Sequence, residues 1–96
     1  MLELRPGCEH CNKPLPPDST EGMICSFECT FCRDCAESVL SNVCPNCGGG
    51  FAPRPIRPKA KLMKNPPSSN MVYKPVNMEK HAAFAAGLKD IPPHQR

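Results

Sequence analysis

The segment Cys25-Ser26-Phe27-Glu28-Cys29-Thr30-Phe31-Cys32-Arg33-Asp34-Cys35 decides how this chain folds, because it sets four thiols within eleven residues. Three residues separate Cys25 from Cys29, and two separate Cys32 from Cys35. Outward from this segment, Cys8-Glu9-His10-Cys11 and Cys44-Pro45-Asn46-Cys47 repeat the two-residue gap, so all eight cysteines fall into four pairs between Cys8 and Cys47. A gap of that size lets a tight turn present both sulfurs to one tetrahedral ion, about 2.3 Å from each, while N–H groups of the turn point at the sulfurs. A single such pair is weak as a signal. Four pairs at this density point to two closed structural zinc sites, with no open position for water.

Four disulfides are the competing use of eight cysteines, and they require an oxidising compartment. Met1-Leu2-Glu3-Leu4-Arg5-Pro6 has an acid at position 3, a proline at position 6 and no apolar run of the kind that directs export. No stretch is apolar for the length of a membrane span. The expectation is a cytoplasmic protein with reduced thiols. Large apolar side chains between Leu2 and Phe51 number eleven, among them Leu4, Leu15, Met23, Phe27, Phe31, Leu40 and Val43. A core this thin does not hold some fifty residues without a staple, and each structural zinc contributes about 10–16 kcal/mol to folding.

Within the head, Asp34 followed by Glu37 fits a capping box, and Ala36, Val39, Leu40 and Val43 share one helical face. The pattern predicts a short helix from Cys35 to about Ser41, preceded by a hairpin around Cys25 to Cys32. Two ways of sharing the pairs are open. In a sequential scheme Cys8, Cys11, Cys25 and Cys29 hold one ion and the remaining four hold the other. In an interleaved scheme the first zinc takes Cys8, Cys11, Cys32 and Cys35, and the second takes Cys25, Cys29, Cys44 and Cys47. The interleaved scheme is favoured.

The residues Ile24-Cys25, Cys29-Thr30-Phe31-Cys32-Arg33-Asp34-Cys35, the following helix and Cys44-Pro45-Asn46-Cys47 resemble the RING finger, a treble-clef relative. That resemblance implies a small metal-stabilised α+β fold with two cross-braced zinc ions. Cys29 stands where most RING domains have histidine, and its gap from Cys25 is wider than usual. The head also resembles a family of small bacterial cysteine-rich proteins of unknown function, through Leu2-Glu3-Leu4-Arg5-Pro6, Pro16-Pro17-Asp18, Cys44-Pro45-Asn46-Cys47-Gly48-Gly49 and Arg54-Pro55-Ile56-Arg57-Pro58. This second likeness spans roughly residues 1–58 and implies a fold and a metal without an activity. A RING that acts as a ubiquitin ligase grips a conjugating enzyme through an apolar residue beside the first ligand, an apolar residue near the helix, the CPxC proline and a cation after the last ligand. Pro45 is present, whereas Glu9 and His10 fill the first knuckle and Gly48 follows Cys47.

Charge divides the chain at the same place as the cysteines. Residues 1–51 carry −4 and the rest +7, within a total of +3. Zinc bound by thiolates takes the head to roughly −8. Residues 52–76 hold six prolines among basic residues and form a linker or wrapping arm, with a weak strand signal at Ser69–Tyr73. From 77 to 91, Asn77 caps an amphipathic helix running from Met78 to about Lys89, with Met78, Ala82 and Ala85, and next to them Leu88 and Phe84, on one face. Residues 92–96 form a disordered tail.

The resulting domains are a two-zinc head over 1–51, the arm, the helix and the tail. Once two zinc ions hold every thiol, no cysteine nucleophile remains, so a non-catalytic module that binds a protein partner is expected, without a small-molecule substrate or a membrane. Nucleic-acid binding through Arg54, Arg57, Lys59, Lys61 and Lys64 is the alternative, although the arm lacks aromatic interleaving for base stacking. Redox or zinc sensing is a further one. His10 is expected at the surface because side chains inside such a turn point away from the metal, and His81 and His94 are expected in solvent.

Overall fold

The structure, a computed structural model, describes residues 1–96. Strand β1 (Gly22–Ile24) pairs antiparallel with β2 (Thr30–Cys32), which sets Met23 opposite Phe31. Both side chains are buried and seed the core. The loop between them is closed by bonds from Glu28 N–H to the Cys25 carbonyl (3.0 Å) and from Cys25 N–H to the Cys29 carbonyl (3.2 Å). Glu28 takes a left-handed backbone, φ 66°, to complete that turn. The short strand β3 (Ala52–Pro53) joins the other edge of β1, giving the order β2-β1-β3. Pro53 fits there because an edge strand can dispense with one ladder donor. The sheet therefore runs past Phe51, and Arg54 beyond it is buried.

A short helix does follow β2, wound as a π-helix over Cys35–Val39, with Leu40 N–H bonded to the Cys35 carbonyl at 2.8 Å. The expected apolar face is present: Ala36, Leu40 and Val43 are fully buried, and Val39 packs against the core. The expected capping box is absent. Helical backbone begins at Arg33, straight out of β2, so Asp34 (φ −60°, ψ −44°) already lies inside the first turn and caps nothing. Glu37 turns instead to Arg33, 3.3 Å away. Ser41 and Asn42 reverse the chain with left-handed backbones, and the Asn42 side chain accepts the Phe51 N–H at 2.9 Å.

The core gathers Cys8, Leu15, Met23, Phe31, Cys32, Cys35, Ala36 and Leu40. Phe51 meets Phe31 edge-on at 5.4 Å between ring centres. Phe27, counted among the candidate core residues, instead projects from the hairpin tip and is 73% exposed, because the turn that brings Cys25 and Cys29 together points it outward.

The arm lies on the head. Ser68 N–H donates to the Leu4 carbonyl (3.0 Å) and Lys74 N–H to the Glu9 carbonyl (2.8 Å), while Ser69–Tyr73 forms no strand. Helix α1 (Met78–Ala86) starts at Asn77, whose side chain accepts Lys80 N–H at 3.1 Å, and stops at Gly87, short of the expected Lys89. Its buried residues are His81 and Ala85, with Leu88 half-buried one turn on; Ala85 and Leu88 lie inward as expected, whereas Met78, Ala82 and Phe84 are exposed and His81 takes their place. Residues 92–96, expected to be disordered, contain a 3-10 turn at Pro93–Gln95, and the Arg96 guanidinium donates to the carbonyls of Asn42 (2.8 Å) and Gly48 (3.2 Å).

Candidate metal centre

Two turns of the same design carry the outer cysteine pairs. Cys8 N–H donates to the Lys13 carbonyl and Asn12 N–H to the Cys8 carbonyl; Cys44 N–H donates to the Gly49 carbonyl and Gly48 N–H to the Cys44 carbonyl. The residue just after each second cysteine is left-handed, Asn12 at φ 63° and Gly48 at φ 79°. Asparagine and glycine are the residues that tolerate that conformation most readily. Backbone donors also reach sulfur: Phe27 N–H lies 3.3 Å from Cys25 Sγ, and Gly49 N–H lies 3.4 Å from Cys47 Sγ. Such bonds orient a sulfur as an acceptor, as in a thiolate that binds metal.

The fold brings these pairs together out of sequence order. Cys8, Cys11, Cys32 and Cys35 place all four sulfurs within 4.8 Å of one another. Cys25, Cys44 and Cys47 form a second group by the same measure. Cys29 stands just outside that trio, with its sulfur 3.4 Å from the Asn46 side-chain amide. All eight cysteines are free thiols.

These groups fit a tetrahedral cation. Cys11 and Cys32 sulfurs are 3.7 Å apart. A tetrahedron of 2.3 Å metal–sulfur bonds has an edge of about 3.8 Å, whereas a disulfide is about 2.05 Å long. Burial pushes the Cys35 and Cys44 thiols far up, and Cys25 and Cys32 up to a lesser extent. Burial also acts to raise Cys8, but hydrogen bonds from the backbone of Cys11, Cys32 and His10 outweigh it and bring that thiol down. Buried thiols such as Cys35 and Cys44 lose their protons more readily when a bound cation compensates the thiolate.

The remaining residues of the first knuckle are built into the surrounding packing. Glu9 is buried, its carboxylate 2.7 Å from Arg5 and bonded to Thr30 N–H. The His10 imidazole accepts Val76 N–H at 2.9 Å through Nδ1 and takes no part in either sulfur group. His81, expected in solvent, is instead 4% exposed, with Nε2 3.0 Å from the Leu40 carbonyl. The spacing of His81 and Ala85 on α1, continued by Leu88 just beyond it, is the signal that points to its burial. Arg54 has a role that spacing did not reveal: its guanidinium donates to the carbonyls of Arg5 (2.9 Å), Leu15 (3.0 Å) and Pro16 (2.9 Å) with no carboxylate nearby.

A span that contains all eight cysteines and ends just past Arg54 also defines the chain's kinship. The family described as "Protein of unknown function (DUF1272)" matches residues 1–57. This chain belongs to that family. An uncharacterized protein of Rhizobium meliloti (strain 1021) is 57% identical over 75 residues, which cover 78% of this chain and 89% of the relative. That length exceeds the family span, so the likeness continues into the arm. No solved structure matches the chain. No helix is long and apolar enough to cross a membrane.

Proposed function

We propose that this chain is a zinc-stapled, non-catalytic module that binds another protein in the cytoplasm. Cys8, Cys11, Cys32 and Cys35 hold one zinc, and Cys25, Cys29, Cys44 and Cys47 hold the second, in a RING-like treble-clef cross-brace. The observation that carries this reading is the grouping of sulfurs from distant pairs, Cys8 and Cys11 with Cys32 and Cys35, at the 3.7 Å separation a tetrahedral ion requires. Zinc supplies charge compensation and cross-linking there. The chain's own turns orient the sulfurs and exclude water from Cys8, Cys32 and Cys35.

Phe27 is the candidate contact residue. It is an exposed aromatic held in the three-residue stretch between two metal-binding thiols, and rigid aromatic anchors dominate protein interfaces. A ligase-like role is disfavoured because the first knuckle's Glu9 is turned inward onto Arg5 and the arm crosses it at Lys74. Nucleic-acid binding is disfavoured because Arg54 and Arg57 already donate to carbonyls of this chain. Native mass spectrometry on protein purified without chelator tests the zinc reading: two zinc ions with eight free thiols are expected, and four disulfides without metal would overturn it. Affinity purification with wild type and Phe27→Ser in parallel tests the contact. A partner recovered equally by both removes Phe27 from the interface.

A further inference from the structure

The two sulfur groups are not equally built into the protein. Cys8, Cys32 and Cys35 belong to the buried core alongside Met23, Phe31 and Leu40, and all four sulfurs of their group converge. Of the other four cysteines, only Cys29 packs against that core, and it does so from a half-buried position. Its sulfur also lies outside its convergent trio, while Cys47 is exposed. Solvent thus reaches one thiol of the first group, Cys11, and two of the second. A site whose ligands are less buried and less converged beforehand holds its ion more weakly and opens more often.

The second group also supplies the seat of the C-terminal helix. The turn that presents Cys44 and Cys47 is completed by Gly48, whose N–H donates to the Cys44 carbonyl at 2.8 Å and whose φ is 79°. Leu88 and Phe84 close onto this glycine, where a Cβ would lie 3.0 Å from Leu88 Cδ1 and 3.3 Å from Phe84 Cζ. Arg96 bonds the Gly48 carbonyl, and Pro45 and Asn46 of the same turn wall a cavity together with Lys80, His81 and Phe84. Helix α1 itself buries only His81 and Ala85. Its nine residues fall short of the roughly 12–15 that an isolated helix needs, so docking keeps it helical. His81 does reach the Leu40 carbonyl in the core, but its Nδ1 is left buried without a partner, which offsets part of that contact's worth.

We propose that the second group is the exchangeable one of the two and that its occupancy governs the docking of residues 78–96, an inference that rests on the two-zinc assignment above. Without an ion to share, Cys44 and Cys47 no longer hold the Gly48 turn closed, so Phe84, Leu88 and Arg96 lose their seat. The segment then comes away and uncovers Pro45 and Asn46, while Cys8, Cys11, Cys32 and Cys35 keep the core. A competing chelator of zinc is the signal to which this strap responds.

The zinc-loaded full chain, isotopically labelled, is titrated with a chelator while native mass spectrometry counts bound zinc, NMR follows the amides and brief iodoacetamide treatment marks the freed thiols. The starting count separates the two readings. Fewer than two zinc ions before chelator overturns the assignment on which the strap rests; with two at the start, every later result bears on the strap alone. A one-zinc species is expected in which Cys25, Cys29, Cys44 and Cys47 are alkylated at least about tenfold faster than the other four, with the amides of residues 78–96 collapsed to disordered positions while Met23 and Phe31 keep theirs. Loss of both ions together, or faster alkylation of Cys8, Cys11, Cys32 and Cys35, overturns the asymmetry. Amides of α1 that stay dispersed in the one-zinc species overturn the strap. Linkage supplies a second measurement, because Leu88→Ser loosens α1 and leaves all eight thiols in place. It is expected to weaken zinc at the second group by about fivefold or more and to leave the first unchanged. Equal zinc affinities in the variant and wild type overturn the coupling.

Discussion

Removing the Arg54 side chain tests what attaches the end of the sheet to the N-terminal turns. The guanidinium makes three bonds to carbonyls, and it is 4% exposed with burial alone drawing its pKa down. Bonds to a charged donor are each worth roughly 1.5–3 kcal/mol, and desolvating the ion returns several kcal/mol of that, so Arg54→Ala should cost about 2–4 kcal/mol. Arg54→Lys should recover little, because an ammonium cannot span three acceptors held in the plane of a fork. Gly22 supplies an internal control. A Cβ there would lie 3.1 Å from Arg54 Nε and 3.2 Å from Cζ, so Gly22→Ala displaces the same group. Urea midpoints at fixed excess zinc give the four corners of a double-mutant cycle. Gly22→Ala should be destabilising in wild type and close to neutral in the Arg54→Ala background. Equal costs in both backgrounds, or an Arg54→Ala midpoint within about 0.5 kcal/mol of wild type, would refute the clip.

Other features yield equally direct outcomes. In cadmium-substituted protein, the Hβ protons of Cys8, Cys11, Cys32 and Cys35 should couple to one metal and those of Cys25, Cys29, Cys44 and Cys47 to the other; coupling of Cys8 and Cys25 to the same ion would establish the sequential scheme. The Glu3 carboxyl is held below its ordinary value of 4.5, mainly by its bond to Arg5 and then by Ser68, so its contribution is complete above that value and fades as pH falls through the lowered one. The stability gap between wild type and Glu3→Gln should accordingly close on acidification, and a gap that widens would contradict the sign. A Cβ on Gly50 would lie 2.7 Å from Pro93 Cγ, so Gly50→Ala should shift the NMR signals of residues 91–96 while β1 and β2 keep theirs.

The cysteine pairs were legible because a tight turn that brings two sulfurs together imposes a fixed local spacing, and that spacing survives in the sequence whatever the rest of the chain does. The face of Ala36, Leu40 and Val43 was legible for a similar reason, since burial on one side of a helix repeats along the chain. The capping box at Asp34 misled because Cys32 and Cys35 must both reach one sulfur group, and this winds the backbone helically from Arg33 and absorbs the would-be cap into the first turn. His81 was misplaced because α1 is alanine-rich, and with few large apolar residues to fix its orientation an imidazole that finds the Leu40 carbonyl can set the buried face. That bond joins residues forty-one apart, and no local pattern encodes it.

The positive arm shows why charge counting located the contact but not its chemistry. The opposite net charges of head and arm predict that the two attract, yet neither Arg54 nor Arg57 forms an ion pair. Four head acids, Glu3, Glu9, Glu21 and Glu37, are matched by the head's own Arg5, Lys13 and Arg33. What the head lacks is donors. Arg54 bonds the carbonyls of Arg5, Leu15 and Pro16, each followed by a proline, and Arg57 bonds those of Asn65 and Pro66, again before prolines, and that of Leu2. A residue before proline is held extended, which disfavours a helical partner for its carbonyl, and the proline itself contributes no N–H, although the Pro16 carbonyl also accepts the Ser19 N–H at 2.9 Å. Two proline-rich segments have few N–H groups with which to zip together through backbone bonds. Arginine, with five donors in a rigid fork, supplies them from the side chain. The interleaving of arginine and proline from Pro53 to Pro58 is therefore a structural pattern in its own right, in which each guanidinium makes the bonds that the neighbouring prolines cannot.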